Sequence, residues 1–309
     1  MKTALVLGVS GGFGKHMAMA LLQQDWHVQV LLRDSKKLPK ELQGRVRVYE
    51  GNAFNHEDVK LASKGCAALV YGINVPYERW QQEAIPLLNV SLEVAKQEAM
   101  TFLFPGNVYV YDPQQGPSFL ESSPKKSITA KGDIRIQMEA LLADAAQNGL
   151  KVLLIRAGDF FGKDLASSWM NFILKANPKH YTLTVPGPMQ MPHTWAYLPE
   201  LAQQACGLLE QDNWPGNYHE VHFEGHRFSF DDLKNVIEKR TGKPVKVRKL
   251  PWWLFNILGF FKADIRELVA MKYLWFNEIN LETGHQPMTG SNRNNQSELI
   301  DSLLESGLV

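Results

Sequence analysis

Short apolar segments alternate with amphipathic stretches through about the first 160 residues of the chain. The apolar segments are residues 4–7, 28–32, 46–49, 67–71, 102–104 and 152–155, and the helical patterns cover 13–24, 56–64, 79–99 and 134–146. Strands that are apolar throughout are typical of a parallel sheet whose two faces are both covered by helices. The pattern therefore predicts an α/β fold of the Rossmann type, with a doubly wound parallel sheet.

The pattern loosens after about residue 160 and predicts a smaller C-terminal α/β lobe. Helices are expected at 165–175, 199–210 and 229–240, with one or two more in the apolar segment 252–276, and strands at 218–223 and 245–247. Ser229 is placed to cap the 229–240 helix, and Gly242 marks its end. Residues 284–296 are polar and predict a surface loop before a final short helix. We expect a sheet domain over 1–165 and a lobe over 166–309, with some interleaving between them.

The turn between the first strand and the first helix is rich in glycine, because residues 8–14 read GVSGGFG. Such a turn lets the backbone approach a pyrophosphate, and the helix N terminus behind it favours negative charge. A tight turn that holds no ligand is the alternative. We predict that this turn binds a dinucleotide; the residues expected to contact it here and after the fourth strand are Gly8, Ser10, Gly11, Gly12, Phe13, Gly14 and Gly72.

The end of the second strand carries a cation where NAD-binding sites usually carry an acid. The strand ends at Leu32, and Arg33 follows it about 20 residues after the glycine turn, with Lys36 and Lys37 close by. A guanidinium matches the geometry of a phosphate in a bidentate manner. The sequence therefore favours NADP(H) over NAD(H), with a solvated loop charge at Arg33 as the alternative.

Composition and charge narrow the class of protein. The 309 residues carry 33 Lys+Arg and 32 Asp+Glu, a net charge of +1 that argues against a dedicated nucleic-acid binder. Two cysteines are too few for a disulfide scaffold or a cysteine-based zinc site, and the histidines lack metal-site spacing, so no metal is expected. We find no targeting signal, and the longest apolar stretch, 252–261, is about half of a membrane span. A cytoplasmic protein without a transmembrane segment is the expectation.

The glycine spacing resembles that of the extended and atypical short-chain dehydrogenase/reductase superfamily, which includes the NAD-dependent epimerase/dehydratase-like proteins. Four further segments resemble landmarks of that superfamily in the same order: GNA at 51–53, FLFPGNVYVYD at 102–112, IRAGDFFG at 155–162 and WAYLPELA at 195–202. The resemblance implies that Asn52 meets the adenine of the cofactor, where the family has Asp. It covers about residues 1–210 and, more vaguely, the remainder.

The catalytic motif departs from the family pattern. Family enzymes use a Tyr as general acid/base, a Lys four residues later and a Ser or Thr after the fifth strand. The matching positions here hold Lys131, Arg135 and Asn107. The resemblance implies that Arg135 still binds ribose or phosphate oxygens of the cofactor, because its charge is kept.

Three residues are candidates for the proton transfer that the missing tyrosine would perform. Lys131 is flanked by Arg135, which would depress the lysine pKa and allow acid/base chemistry of another kind. Tyr109 and Tyr111 are alternative proton donors if they flank the nicotinamide. Solvated helix charges for Lys131 and Arg135, and packing or substrate-positioning roles for the two tyrosines, are the competing interpretations.

In this superfamily the substrate lies over the carboxyl ends of the strands, beneath the smaller lobe. The residues that the resemblance places there are Asn107, Asp159, Trp169, Asn171, His193 and Trp195. His193 is expected in a loop before the helix that carries Trp195. The apolar segment 252–276 is expected to be core, with a lid, a dimer contact or adherence to a membrane surface as alternatives.

We expect an NADP(H)-binding oxidoreductase-like protein of the extended or atypical type, acting on a small carbonyl, hydroxyl or sugar-like substrate. The altered catalytic positions leave a second hypothesis open, a catalytically silent dinucleotide-binding regulator or sensor. A non-redox isomerase or lyase is a third. The expected partner is a small molecule and not a nucleic acid, and a homodimer is left open.

Overall fold

The computed structural model describes residues 1–163, 165, 168–211, 213–285 and 296–309. The strands are β1 Thr3–Leu7, β2 His27–Leu32, β3 Arg47–Glu50, β4 Ala68–Tyr71, β5 Thr101–Gly106, β6 Ser118–Phe119, β7 Val152–Arg156, β8 Asp159–Phe161, β9 Leu174–Ala176, β10 Tyr181–Val185, β11 His193–Tyr197, β12 Tyr218–His222, β13 His226–Phe228, β14 Val245–Lys249 and β15 Asn280–Leu281. The helices are α1 Gly12–Gln23, α2 His56–Ser63, α3 Trp80–Gln97, α4 Ala130–Gln147, α5 Trp169–Ile173, α6 Leu198–Gln211, α7 Phe230–Thr241, α8 Trp252–Gly259, α9 Ala263–Ala270 and α10 Gln296–Glu305. The predicted loop 284–296 lies largely outside the described residues.

Contacts divide the described chain into two units that interleave in sequence. The first unit comprises Met1–Val110, Ala130–Arg156 and Leu198–Val221, and the second comprises Tyr111–Thr129, Ala157–Tyr197 and His222–Val309. The predicted boundary at residue 165 falls within the second unit.

The first unit is built on a seven-stranded sheet with the order β12-β7-β5-β4-β1-β2-β3. Parallel pairing joins β1 to β2 and β4, β2 to β3, and β5 to β4 and β7. The order reverses at β1, so that chain crossovers place helices on both faces, as a doubly wound sheet requires. The predicted Rossmann-type α/β fold is confirmed.

The central strands are apolar because both of their faces are buried. Leu5, Leu69, Phe102 and Leu154 belong to one hydrophobic core, which also takes in side chains from α2, α3 and α4. Burial of each large side chain stabilises the fold by roughly 1.5–3 kcal/mol. This core fixes the carboxyl ends of β1, β4 and β5, where the candidate site lies.

The second unit contains smaller sheets with the orders β14-β10-β9, β13-β11-β8 and β15-β6. Its core is rich in aromatic side chains and includes Phe161, Trp195, Phe230, Trp252 and Trp275. The helix α7 begins as predicted, because Ser229 and Asp232 form a reciprocal capping box, and it ends at Gly242 with φ +67°.

Two secondary-structure predictions in the second unit are wrong. Residues 166 and 167 of the predicted helix 165–175 lie outside the described residues, and the helix α5 ends at Ile173, since β9 begins at Leu174 and pairs with β10. His193 lies not in a loop but in the buried strand β11, together with Trp195, and the following helix α6 begins at Leu198. In both cases pairing with strands distant in sequence decides the local structure.

Across the described residues, no helix combines the length and the apolar character needed to span a membrane.

Candidate functional site

Three glycines pack backbone against backbone where β1 passes into α1. Gly8 has φ +73°, and a Cβ there would lie 2.2 Å from the carbonyl oxygen of Gly72. A Cβ on Gly14 would lie 2.5 Å from the Gly8 oxygen, and one on Gly72 would lie 2.6 Å from the oxygen of Leu7. No side chain fits these positions, so the turn holds the first helix close to β1 and β4.

The N terminus of α1 is built to receive an anion. Gly11 is its N-cap and is exposed with Ser10, its amide donates to the Gly8 oxygen at 2.9 Å, and no side chain among the described residues caps the helix. No acidic residue lies in the first turn, which begins with Gly12 and Phe13. The partial positive charge of the helix end therefore faces no competing carboxylate within its own turn.

The segment after β2 exposes basic side chains, while the nearby acidic side chains accept hydrogen bonds from its backbone amides. Arg33, Lys36 and Lys37 are exposed. The Asp34 carboxylate accepts a hydrogen bond from the Lys36 amide at 3.0 Å, and Glu50 accepts one from the Ser35 amide at 3.0 Å. Hydrogen bonds from Ser35 hold the pKa of Glu50 below its ordinary value. The solvent-facing surface of this segment is therefore mainly positively charged.

Asn52 is exposed after β3 and forms part of a local turn. Its Oδ1 accepts a hydrogen bond from the Phe54 amide at 3.2 Å, and its own amide donates to Asp58 Oδ2 at 2.8 Å. The turn fixes the direction of the chain between β3 and α2. Asn52 as an adenine contact stays a prediction.

Tyr109 and Lys131 are linked through a residue that the sequence did not suggest. The hydroxyls of Tyr77 and Tyr109 are hydrogen-bonded at 2.8 Å, and Lys131 Nζ lies 5.0 Å from the centroid of the Tyr77 ring. Asn107 supports the pair, since its Oδ1 accepts a hydrogen bond from the Tyr109 amide at 3.1 Å. Three protonatable groups from three separate segments therefore lie together in the first unit.

Lys131 is only 4% exposed, so the interpretation as a solvated helix charge is wrong for this residue. Burial lowers the pKa of its ammonium, and the nearby carboxylate of Glu78 partly opposes that shift. A lysine with a lowered pKa exchanges its proton more readily near neutrality than a solvated lysine does.

Arg135 lies between two aromatic rings instead of projecting into solvent. Its guanidinium carbon is 5.0 Å from the Trp80 ring centroid and 5.2 Å from that of Phe104, and Nη1 donates to the Pro105 oxygen at 3.2 Å. Its Nε is buried without a hydrogen-bond partner among the described residues. Burial lowers the pKa of the guanidinium, which stays charged at neutral pH. Arg135 and Trp80 also line a small pocket with Tyr71.

A buried ionic network braces the same region and was missed at the sequence level. Arg156 at the end of β7 is fully buried and binds Glu139 in a bidentate manner at 2.9 and 2.8 Å. It also donates to Glu220 and to the backbone oxygen of Asn107 at 2.6 Å. The sequence signal for this network is a charged residue beside apolar ones: Glu139 follows Met138 on α4, and Arg156 ends an apolar strand.

Tyr111 lies in the second unit and is fully buried. Its hydroxyl is 3.0 Å from His222 Nε2, and its ring stacks on Phe119 with centroids 4.4 Å apart. These contacts favour a packing role, and proton donation by Tyr111 stays an untested prediction.

Three predicted substrate residues lie in an aromatic cluster of the second unit. Trp169, His193 and Trp195 pack around Trp275, with ring centroids 5.0, 4.9 and 6.0 Å from it. Burial lowers the pKa of His193 to about 4. Trp195 is fully buried and stacks on Phe228. These contacts favour core packing within this unit, and substrate binding by the three residues stays a prediction.

The remaining two substrate candidates differ in character. Asn171 donates to the Leu165 oxygen at 2.5 Å and holds the start of α5. Asp159, the first residue of β8, is a desolvated carboxyl whose pKa burial raises to about 7. A group that titrates near neutrality is chemically versatile, which keeps Asp159 a candidate.

Comparison with known proteins decides the family. A family profile described as NAD(P)H-binding matches residues 8–164, which is just over half of the chain. The chain belongs to this NAD(P)H-binding family. No curated protein matches the sequence. The matched region includes the glycine turn, the Arg33 segment and the Tyr77–Tyr109–Lys131 group.

Solved structures of two sugar-nucleotide epimerases and of a further NAD+-bound enzyme share the fold of this NAD(P)H-binding protein. UDP-glucuronic acid 4-epimerase from Bacillus cereus, in complex with NAD, superposes with a TM-score of 0.68 at 17% identity over 80% of this chain and 87% of that one. A nucleoside-diphosphate-sugar epimerase from Staphylococcus aureus gives 0.62 at 17% identity over 100% and 99% of the two chains. The enzyme WbmH from Bordetella bronchiseptica, with NAD+, gives 0.62 at 16% over 89% and 98%. These structures confirm the predicted fold, and the family profile confirms the predicted NAD(P)-binding domain.

Proposed function

We propose that this NAD(P)H-binding protein is an NADP(H)-dependent oxidoreductase acting on a small carbonyl, hydroxyl or sugar-like substrate. The observation that carries the proposal is the linked group of Tyr77, Tyr109 and Lys131 in the unit that also holds the glycine turn. A buried lysine beside two hydrogen-bonded phenols suits proton transfer, which the binding of a dinucleotide alone does not require.

Two features of the first unit fit a dinucleotide that carries a 2′-phosphate. The amides at the start of α1 and the exposed turn at Ser10 and Gly11 would hold the pyrophosphate. Arg33, assisted by Lys36 and Lys37, would bind a 2′-phosphate, which supports NADP(H) over NAD(H). When bound, the cofactor supplies or accepts a hydride.

Proton transfer would fall to the phenols and the buried lysine. Tyr109 would exchange a proton with a substrate oxygen while its hydroxyl stays hydrogen-bonded to that of Tyr77. Lys131, over the Tyr77 ring, would place positive charge beside the two phenols. Burial lowers the pKa of Lys131, so its ammonium gives up a proton more readily than that of a solvated lysine. Asn107 fixes the backbone amide of Tyr109 and so positions the phenol.

The test is turnover of NADPH against panels of small carbonyl compounds and nucleotide sugars. We expect activity in at least one panel, with Tyr109→Phe and Lys131→Met each reducing kcat by on the order of 10²-fold or more while the NADPH affinity stays within a few-fold. Tyr49→Phe is a matched control, because Tyr49 bonds to Gln29 away from the lysine. Activity that survives in both variants would remove these residues from the mechanism.

A catalytically silent sensor is the second candidate, and one observation favours it. Arg135, at the position of the family's lysine, is held between Trp80 and Phe104 and bonded to Pro105. These contacts suit a bracing role. Tight NADPH binding without turnover in either panel would support the sensor and contradict the oxidoreductase proposal.

A further inference from the structure

The helix α8 exposes an apolar stripe of the kind that helices usually turn toward a core. The stripe comprises Trp253 and Ile257, four residues apart on one face of α8, and Phe260 and Phe261 in the turn that follows Gly259. They are 67%, 50%, 83% and 84% exposed. Side chains of this size are seldom left in water as a contiguous group without a function.

The opposite face of α8 is already anchored, so the helix does not need the stripe to stay in place. Trp252 is buried, and its indole donates to the Pro186 oxygen at 2.6 Å. Phe255 packs against the core of the second unit. A Cβ on Gly259 would lie 3.3 Å from the Arg266 Cα, which shows how closely α9 supports the end of α8. The stripe is therefore available to a partner.

The sequence on either side of the stripe is strongly basic. From Lys243 to Lys262 the chain has five basic and no acidic residues, and extending the count to Lys272 gives seven basic and two acidic. Lys246, Arg248 and Lys249 on β14 are exposed and lie shortly before the helix. Lys262 follows the stripe directly and Arg266 lies at its end, both exposed. Asp264 is the exposed acid nearest to them.

We propose that the α8 stripe and its basic surroundings dock this protein onto the surface of an anionic phospholipid bilayer. Trp and Phe side chains insert at the level of the headgroups, and lysine and arginine side chains meet lipid phosphates, each basic residue adding attraction. A second copy of the chain is a poorer occupant. A two-fold contact would face this patch with itself and bring two sets of like charges together.

The experiment is co-sedimentation of the full chain with vesicles of phosphatidylcholine alone and with about 30% phosphatidylglycerol. We expect binding to the anionic vesicles, weaker binding to the neutral ones, and loss of binding as salt is raised. Phe260→Ser with Phe261→Ser should weaken binding to anionic vesicles at least about tenfold. Lys246→Gln with Arg248→Gln and Lys249→Gln should do the same while leaving the weak binding to neutral vesicles unchanged.

Matched controls come from exposed residues elsewhere. Leu61→Ser with Ile128→Ser removes exposed apolar surface, and Lys40→Gln with Lys64→Gln and Lys96→Gln removes three charges; both should bind as the parent does. Thermal unfolding verifies that each variant folds, and the charge variant keeps the test valid if the serine variant does not. Absence of vesicle binding by the parent overturns the proposal. So does an equal loss in the controls, or a self-association that Phe260→Ser with Phe261→Ser abolishes without any vesicle binding.

Discussion

Arg156 is a fully buried cation that binds two buried carboxylates in the first unit. One guanidinium satisfies two carboxylates and a backbone oxygen, and so ties β7 to α4, β12 and the segment that carries Asn107. A buried pair adds little net stability when complete, but removing one partner leaves charge uncompensated. The network therefore positions Tyr109 through Asn107 more than it strengthens the fold.

Arg156→Met should destabilise the protein by about 3–5 kcal/mol, because Glu139 and Glu220 would both lose the buried guanidinium that they share. Denaturant unfolding measures the change. The combined variant Arg156→Met with Glu139→Gln and Glu220→Gln should recover a substantial part of the loss. If the single variant unfolds like the parent, the network has no energetic role.

Asp159 makes stability depend on pH in the direction opposite to a salt-bridged carboxylate. Its pKa is about 7 in the folded protein and near the ordinary 3.8 in the unfolded chain. The folded state therefore holds a proton that the unfolded state has lost, and stability falls as pH rises from about 4 to about 7. Asp159→Asn should remove this effect, so that the variant gains about 1–3 kcal/mol over the parent at pH 8 and little at pH 4.

The difference between the two unfolding free energies, followed across pH, isolates Asp159 from His193. The buried histidine, with a pKa of about 4, destabilises parent and variant alike as pH falls below about 6.5. A difference that does not vary with pH would mean that Asp159 is solvated.

At the scale of elements, the β1–α1 turn contains glycines that the packing requires and one, Gly11, that the packing does not require. Gly14→Ala should prevent correct packing, since its Cβ would meet the Gly8 oxygen at 2.5 Å. A Cβ added to Gly11 would have one close neighbour among the described residues, the Gly8 oxygen at 3.3 Å. Gly11 also has φ −88°, which any residue can adopt. Gly11→Ala should therefore keep a Tm within a few degrees of the parent, whereas Gly14→Ala should lower it far more. Equal losses of Tm would contradict this division.

The elements also show where sequence patterns suffice. In the first unit β1, β2, β4 and β7 are mostly apolar, and the sequence pattern predicts each of them within one or two residues. In the second unit β8, β11 and β13 form one small sheet from distant segments. No local pattern distinguishes His193–Tyr197 from a loop, because its pairing partners determine the strand. The sequence does not single out Tyr77 for the same reason, since its place in the candidate site depends on contacts with Tyr109 and Lys131.

At the scale of the molecule, the first unit depends on segments late in the chain. The helix α6 packs against α1, Trp26 bonds to Glu210, and β12 completes the sheet beside β7. A fragment of residues 1–165 would lack α6, β12 and the Glu220 partner of Arg156. We expect it to show no cooperative thermal unfolding, whereas the full chain should unfold with a sharp transition. A fragment that folds alone would show that these late segments are accessory.

Calorimetric titration with NADPH and NADH tests most directly whether the glycine turn and the Arg33 segment bind NADP(H). The parent should bind NADPH at least about tenfold more tightly than NADH, and Arg33→Ala should remove most of that preference without weakening NADH. Lys64→Ala, at an exposed site after α2, should leave both affinities unchanged. Equal affinity for the two cofactors would contradict the assignment of Arg33, and binding of neither would contradict the account as a whole.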